Sequence, residues 1–243
     1  MKTGYNKKMK TKGFLLLILS LCVASFAHAQ AIPGDVDLLW QGTGYTPSFY
    51  KGRDLWATQG QIVFTAIPHV SGGSVIYRWR KNGEVLGSVS GTGRNSLTLA
   101  DSIFSKPITV GVEIVDANDS VLAERSVTLV PRAPKLLIYE DNPLYGLMTH
   151  HEVGASFVLR EREVSFAAIP LFFSVHSRDS EFLKYSWTNN GSVLAQNGNR
   201  VTFRTPDGEG EAAIDVQVKN TNKIAQDTSD LFTVQFGSQE PNI

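Results

Sequence analysis

Cysteine is almost missing from this sequence of 243 residues. The single cysteine, Cys22, lies in a short apolar stretch near the start, so the chain beyond it carries no thiol. Without a second cysteine the chain forms no internal disulfide. A cysteine nucleophile and a cysteine-ligated zinc site are excluded from the rest of the chain for the same reason. Stability must therefore come from the packing of apolar side chains.

An excess of charge of one sign is also missing, since 23 basic residues balance 23 acidic ones. Five lysines fall within the first thirteen residues, where there is no acid: Lys2, Lys7, Lys8, Lys10 and Lys12. Taking those five from the basic residues leaves 18 against 23 acidic ones in the remainder. Binding to nucleic acid phosphates needs clustered lysine and arginine. We therefore expect no nucleic acid among the partners.

Long hydrophobic runs are missing as well. The apolar stretch at residues 14–23 follows the lysine-rich start and is well short of the ~20 residues that span a bilayer. It leads to Ala27-His28-Ala29, and this order of features is typical of a secretory signal. We predict that residues 1–29 are a signal peptide, and that the chain contacts a membrane only through it, before cleavage. An uncleaved anchor helix and a lipid on Cys22 are the alternatives.

Export and the lack of cysteine together suggest where the protein comes from. An exported chain reaches a compartment in which disulfides persist, yet no cysteine remains after Ala29. This combination favours a bacterial product that is periplasmic, at the cell surface or extracellular.

Signatures of catalysis and of cofactor binding are missing too. The segment Gly87-Ser88-Val89-Ser90-Gly91 departs by one place from the nucleophile-elbow spacing, and no glycine-rich phosphate loop precedes a helix. His150 and His151 are adjacent on an extended segment, where neighbouring side chains point to opposite sides and do not chelate one ion. We predict a protein that is not an enzyme and has no cofactor or metal. Calcium at the acidic residues 116–119 or 207–211 is the alternative.

The sequence does contain one short motif, called the repeated phrase below, that occurs twice. Residues 77–86 and 185–194 share Tyr, Trp, Asn, Gly, Val and Leu at the same places. Alternating aromatic residues put Tyr and Trp on one face of a strand, and Asn-Gly supplies the positive-φ turn of a β-hairpin. The phrase predicts a buried core set and a turn set in each copy, although an exposed tryptophan could also serve as a platform for a sugar. The core set is Tyr77, Trp79, Tyr185 and Trp187, and the turn set is Asn82, Gly83, Asn190 and Gly191.

The repetition extends along the whole chain. Residues 164–170 repeat residues 62–68 almost one for one, and later strand candidates also have counterparts. Short alternating segments separated by Gly, Asn, Asp and Pro predict β-sandwiches, with no sustained helical pattern. We predict an all-β fold of two domains after the signal peptide. Their bounds are residues 30–131 and 135–237, with a proline-rich linker at 132–134 and a tail at 238–243.

The Tyr-x-Trp-x-x-Asn-Gly-x-x-Leu phrase and a late Val-x-Val strand resemble bacterial exported proteins with tandem immunoglobulin-like or PKD-like sandwich domains. The paired cysteines of antibody domains and the Gly-Asp-Gly run of PKD repeats are absent. The resemblance implies an exported, non-catalytic module that serves as a spacer, a stalk or an adhesive surface.

The segments between the first and second strands of each copy are longer than ordinary connections and carry aromatic residues. They contain Tyr45, Phe49 and Tyr50 in the first copy and Tyr145 in the second. Long loops often carry binding residues, so these aromatics are candidates to contact a glycan or a protein. Alternatively, they fold back to cover a sandwich edge.

These observations favour a structural or protein-interaction module at a bacterial surface or in an extracellular assembly, with a role in adhesion, in a stalk or in an appendage. The alternative is a carbohydrate-binding accessory module that uses the loop aromatics, and a secreted hydrolase is third. The expected partner is accordingly a protein or a surface glycan, and the sequence does not predict the oligomeric state.

Overall fold

The computed structural model describes residues 35–70 and 74–237. Within these residues the chain is all-β and forms seventeen strands and one short 3-10 turn, η1 (Gly87–Val89). Strands β1 to β8 make a first sandwich: β1 (Asp35–Gly42), β2 (Gln61–His69), β3 (Ile76–Lys81), β4 (Glu84–Val85), β5 (Gly91–Thr92), β6 (Ser96–Ala100), β7 (Ile108–Val115) and β8 (Val121–Leu129).

Strands β9 to β17 make a second sandwich. They are β9 (Lys135–Asn142), β10 (Gly146–Glu152), β11 (Ser156–Leu159), β12 (Glu163–Leu171), β13 (Leu183–Asn189), β14 (Ser192–Val193), β15 (Arg200–Arg204), β16 (Gly210–Asn220) and β17 (Asp227–Phe236). The predicted signal peptide and the predicted tail at 238–243 lie outside the described residues. Among those described, no helix is long and apolar enough to cross a membrane.

The two sandwiches repeat one strand order. In the first, a sheet β1-β2-β6 faces a sheet β4-β3-β7-β8, to which β5 is added beside β3. In the second, β10-β9-β12-β15 faces β11-β17-β16-β13-β14. The core order β1-β2-β6 against β3-β7-β8, matched by β9-β12-β15 against β13-β16-β17, is the arrangement of strands A-B-E against C-F-G in immunoglobulin-like sandwiches. The predicted fold class, tandem immunoglobulin-like sandwiches, is confirmed.

Each sandwich has its own core around one tryptophan. Trp79 and Trp187 are both fully buried, and each belongs to a separate hydrophobic cluster. Each indole N–H is satisfied, since Trp79 Nε1 donates to the Arg94 carbonyl at 2.7 Å and Trp187 Nε1 donates to the Gly198 carbonyl at 2.9 Å. A buried indole that also finds a hydrogen-bond acceptor contributes area without leaving an unpaired donor. Tyr77 and Tyr185 are buried in the same two clusters.

The repeated Asn-Gly turns do more than reverse the chain. Asn82 and Asn190 have φ values of 50° and 47°, and the glycines that follow them also have positive φ. Positive φ at both central residues is the geometry of a type I′ hairpin turn. In addition, the Asn82 side-chain oxygen accepts the Thr109 N–H at 2.9 Å, and Asn190 accepts the Ala213 N–H at 2.8 Å. The asparagine thereby ties each hairpin to the neighbouring strand of its sheet.

Candidate functional site

The loop between β1 and β2, residues 43–60, crosses from the first sandwich to the second. It starts with a local anchor, since the Asp54 carboxylate accepts the Gly44 N–H at 2.6 Å and the Asp54 carbonyl accepts the Gly42 N–H at 2.8 Å. Burial raises the pKa of Asp54, and the bond from Gly44 opposes that rise. Directly after this anchor, the Tyr45 N–H donates to the Phe173 carbonyl of the second sandwich at 3.1 Å.

Tyr45 and Phe49 cover an apolar face of the second sandwich. The outer face of its β9 and β12 strands carries Leu137, Tyr139, Ile169 and Leu171, all buried, and both loop aromatics pack against this cluster. The Phe49 ring meets the Tyr139 ring edge to face, with centroids 5.6 Å apart. Burial also raises the pKa values of Tyr45 and Tyr139. The two aromatics are therefore half-buried, and they pack against apolar clusters of the second sandwich.

This cover explains why two similar strands are buried differently. In β2 alternate residues point to solvent, whereas seven of the nine residues of β12 are buried, including every residue from Phe166 to Leu171. A strand with both faces covered reads as a continuous run of apolar residues. A strand with one face in solvent instead alternates apolar and polar residues. The uninterrupted apolar residues 166–173 are a sequence signal for a second covered face, which the likeness between the two repeats does not indicate.

Gln226 is fully buried where the two sandwiches meet. Its side-chain oxygen accepts the Ser174 N–H at 2.9 Å and the Asn220 amide at 2.9 Å. Its side-chain nitrogen donates to the Ser174 hydroxyl at 2.7 Å and, across to the first sandwich, to the Thr58 carbonyl at 2.6 Å. Next to it, the Ala225 N–H donates to the Gln59 side-chain oxygen at 2.6 Å.

The linker is held by the same loop. The Arg132 N–H donates to the Trp56 carbonyl at 2.7 Å, and the Thr58 N–H donates to the Arg132 carbonyl at 2.9 Å. Gly60 lies so close to the second sandwich that a Cβ atom there would stand 3.0 Å from the Ser174 hydroxyl. Loop 43–60, the Gln226 hydrogen bonds and the anchored linker together are called the junction below. The sandwiches belong to a single compact unit.

A second feature lies at the end of the second sandwich where β12 begins. The pairing of β12 with β9 stops at Phe166 and Glu140, whereas its pairing with β15 continues to Glu163. Beyond Glu140, β9 continues to Asn142 paired only with β10, on its other edge. The two strands therefore separate, and a cavity of 570 Å³, called the cleft below, lies between Asp141-Asn142 and Glu163-Ser165.

The cleft has an apolar base and charged walls. Phe157, Leu159 and Val164 line it, and Phe157 packs edge to face on Phe166 at 5.2 Å. The charged residues around it are Glu140, Asp141, Arg160, Glu161 and Glu163. Two of its carboxylates are paired, Asp141 with Arg200 at 3.0 Å and Glu163 with Arg204 at 2.5 Å.

The β9–β10 turn beside the cleft presents two apolar side chains. The Asn142 side-chain oxygen accepts the N–H groups of Leu144 at 3.0 Å and Tyr145 at 3.2 Å, which fixes the turn. Leu144 is 84% exposed and Tyr145 is 78% exposed. Of the four loop aromatics that the sequence singles out, Tyr145 is thus the one that lies at the exposed tip of a turn. Tyr50 is half-buried within its own loop, with its ring against Gly52.

The structure does not gather the predicted residues into one site. The tryptophans and tyrosines of the repeated phrase lie in two separate cores, and the Asn-Gly turns lie one in each sandwich. In the described ranges, no three His, Cys, Asp or Glu side chains are placed to hold a metal ion.

No family model matches the sequence, and the comparison with curated proteins found no match. Among solved structures, the chain is similar to the three N-terminal domains of the bacteriophage RB49 highly immunogenic outer capsid protein, with a TM-score of 0.41 and 15% identity over 84% of this chain and 59% of that one. It is also similar to the fibronectin(III)-like modules of Clostridium thermocellum CbhA, with a TM-score of 0.31 and 9% identity over 84% of this chain and 100% of that one.

A third similar structure holds the four N-terminal immunoglobulin domains of Dscam1 isoform 4.44, with a TM-score of 0.30 and 13% identity over 82% of this chain and 46% of that one. The chain thus spans less than two thirds of the capsid protein and Dscam1 structures. Likenesses of this degree concern the fold and carry no argument about a ligand or a partner.

Proposed function

We propose that this chain is an exported bacterial module without catalytic activity, which acts as a structural or protein-interaction unit at the cell surface or in an extracellular assembly. In this proposal residues 1–29 are removed on export, and residues 30–131 and 135–237 are two domains of immunoglobulin-like or PKD-like type. The observation that carries it is the junction, in which loop 43–60 of the first sandwich holds the second.

The junction supports a structural role because relative motion is the default for neighbouring domains joined by a small interface. Here the linker is hydrogen-bonded to loop 43–60, and that loop covers an apolar face of the second sandwich. Gln226 adds a buried hydrogen bond across the boundary. A spacer or stalk transmits position only when its domains hold a fixed relation, and this arrangement supplies one.

A carbohydrate-binding accessory module is the second candidate, and the exposure of Tyr145 is the observation that favours it. An aromatic ring on a fixed turn is a surface on which a sugar ring can stack. Of the other three aromatics considered for that task, Tyr45 and Phe49 are occupied at the junction, and Tyr50 is half-buried within its own loop. A glycan array with the mature protein and with Tyr145→Ala separates the two functions, because only specific glycan binding that is lost in the variant supports the second.

Export is tested by expressing the full chain in a bacterium, fractionating the cells and determining the N-terminus by mass spectrometry. The proposal predicts a chain that begins at Gln30 and is found in the periplasm, on the cell surface or in the medium. A chain that keeps Met1 and stays in the cytosol would contradict the proposal.

A further inference from the structure

The cleft in the second sandwich is an opening in a sheet. In an antiparallel strand the N–H and C=O of one residue point to the same edge, and those of the next residue point to the opposite edge. Glu163, Val164 and Ser165 pair with β15 on one edge only, because β9 has already left the other. At least one of these three residues therefore directs its N–H and C=O into the cleft, where no strand of the described residues pairs with them.

We propose that this cleft binds an extended, basic polypeptide segment of a partner protein, which adds to β12 where β9 leaves it. The inference rests on the proposed role as a protein-interaction module and names the chemistry of the partner. Strand addition of this kind takes its affinity from main-chain hydrogen bonds and its specificity from pockets for alternate side chains.

The shape of the cleft fits such a segment. Its volume of 570 Å³ falls in the range of about 300 to 1,000 Å³ that is usual for ligand sites. Alternate side chains of an added strand would meet the apolar base formed by Phe157, Leu159 and Val164. The exposed Leu144, on the turn beside Pro143 of the cleft wall, offers a further apolar contact to a segment that leaves the cleft on that side.

The charged side chains of the cleft walls favour a positively charged partner segment. Four carboxylates and one arginine line the cleft, and two of the carboxylates are paired with Arg200 and Arg204. Glu140 and Glu161 have no cationic partner within the part of the chain that the structure describes. A segment with lysine or arginine at alternate positions would pair with them. The chain's own residues 238–243 contain Glu240 and no basic residue, so charge disfavours them as the occupant.

The test is an NMR titration of the mature chain, residues 30–243, with a capped peptide of six alternating lysines and valines. Saturable shift changes are expected at Glu163, Val164 and Ser165 and at the facing Asp141 and Asn142. The same peptide with alternate backbone nitrogens methylated keeps its charge but loses main-chain donors. It should bind about tenfold more weakly or worse, since the loss of one or two hydrogen bonds corresponds to such a factor. An alternating glutamate and valine peptide should not bind.

A pair of double variants isolates the role of charge. Glu140→Gln with Glu161→Gln should weaken binding of the basic peptide several-fold. Glu124→Gln with Glu181→Gln removes the same charge from exposed positions outside the cleft and should leave binding unchanged. Backbone amide spectra of both variants show whether the fold is retained.

Several results would overturn the inference. They are no shift changes at millimolar peptide, equal binding of the methylated peptide, or shift changes confined to residues outside the cleft. Shifts at Glu163–Ser165 that grow with protein concentration alone would make a second copy the occupant, and shifts there on removing residues 238–243 would make the tail the occupant. The export test is independent of all these results, so failure at the cleft leaves the proposed function standing.

Discussion

Replacing Gln226 with alanine should destabilise the second sandwich far more than an ordinary glutamine truncation. The wild-type side chain is fully buried and makes four hydrogen bonds, of which three stay within the second sandwich and one crosses to Thr58. At about 1 kcal/mol net for each bond, the variant loses roughly 4 kcal/mol, because the buried Asn220 amide and the half-buried Ser174 groups are left without their partner. The first sandwich loses only the bond to Thr58, or about 1 kcal/mol.

The two effects can be read separately, because each sandwich contains one core tryptophan. Urea unfolding followed by the indole N–H signals of Trp79 and Trp187 reports on the first and the second sandwich, respectively. The Trp187 transition should move to much lower urea, and the Trp79 transition should move slightly. Gln196→Ala is the matched control, since Gln196 is exposed and accepts one bond, from the Thr202 N–H. A Gln226→Ala protein whose Trp187 midpoint matches that of the control would refute the reasoning.

Three further predictions follow from burial and charge. Trp79→Ala should cost about 3 to 5 kcal/mol of stability in the first sandwich, and an unchanged unfolding midpoint there would contradict the core assignment. A fragment of residues 134–237 should bind a hydrophobic dye, because without loop 43–60 it exposes the apolar face that includes Leu137 and Ile169; a fragment that binds no more dye than the mature chain would argue against the cover. The Asp37 carboxylate raises the pKa of His69, so the pair adds stability that is present below the unfolded pKa of 6.5 and lost as pH rises through the folded value. An NMR titration should show that this pKa falls in Asp37→Asn, and an equal pKa in both proteins would exclude the interaction.

The sequence predicts those parts of the fold that depend on local pattern. Alternation and the repeated Tyr-x-Trp phrase led to two immunoglobulin-like sandwiches, because each strand's inward face is set by its own residues. The Asn-Gly pairs predicted turns, but the bonds from Asn82 and Asn190 to a third strand depend on tertiary structure, so the pattern held no sign of them.

The junction could not be predicted in the same way. For Tyr45 and Phe49 the sequence offered two interpretations, cover of a sandwich edge or contact with a ligand, and the structure places them instead on the other sandwich. Such a contact depends on how the two repeats face one another, which no single strand encodes. In the sequence Gln226 lies between Ala225 and Asp227, and nothing in that setting distinguishes a fully buried side chain from an exposed one.

The cleft forms where the pairing between β9 and β12 stops, and no sequence motif marks that position. In β9 the residues Asp141 and Asn142 continue a strand that pairs with β10, but the pairing with β12 ends at Glu140. Sequence reasoning placed Tyr145 in a loop but did not predict an unpaired strand edge beside it.

Residual dipolar couplings measured on the mature chain test most directly whether the junction holds the two sandwiches as one body. If it does, couplings from β1–β8 and from β9–β17 fit a single alignment tensor with the two sandwiches placed as in the structure. Separate fits that give tensors of clearly different magnitude or orientation would contradict this, since they would show that the sandwiches reorient independently.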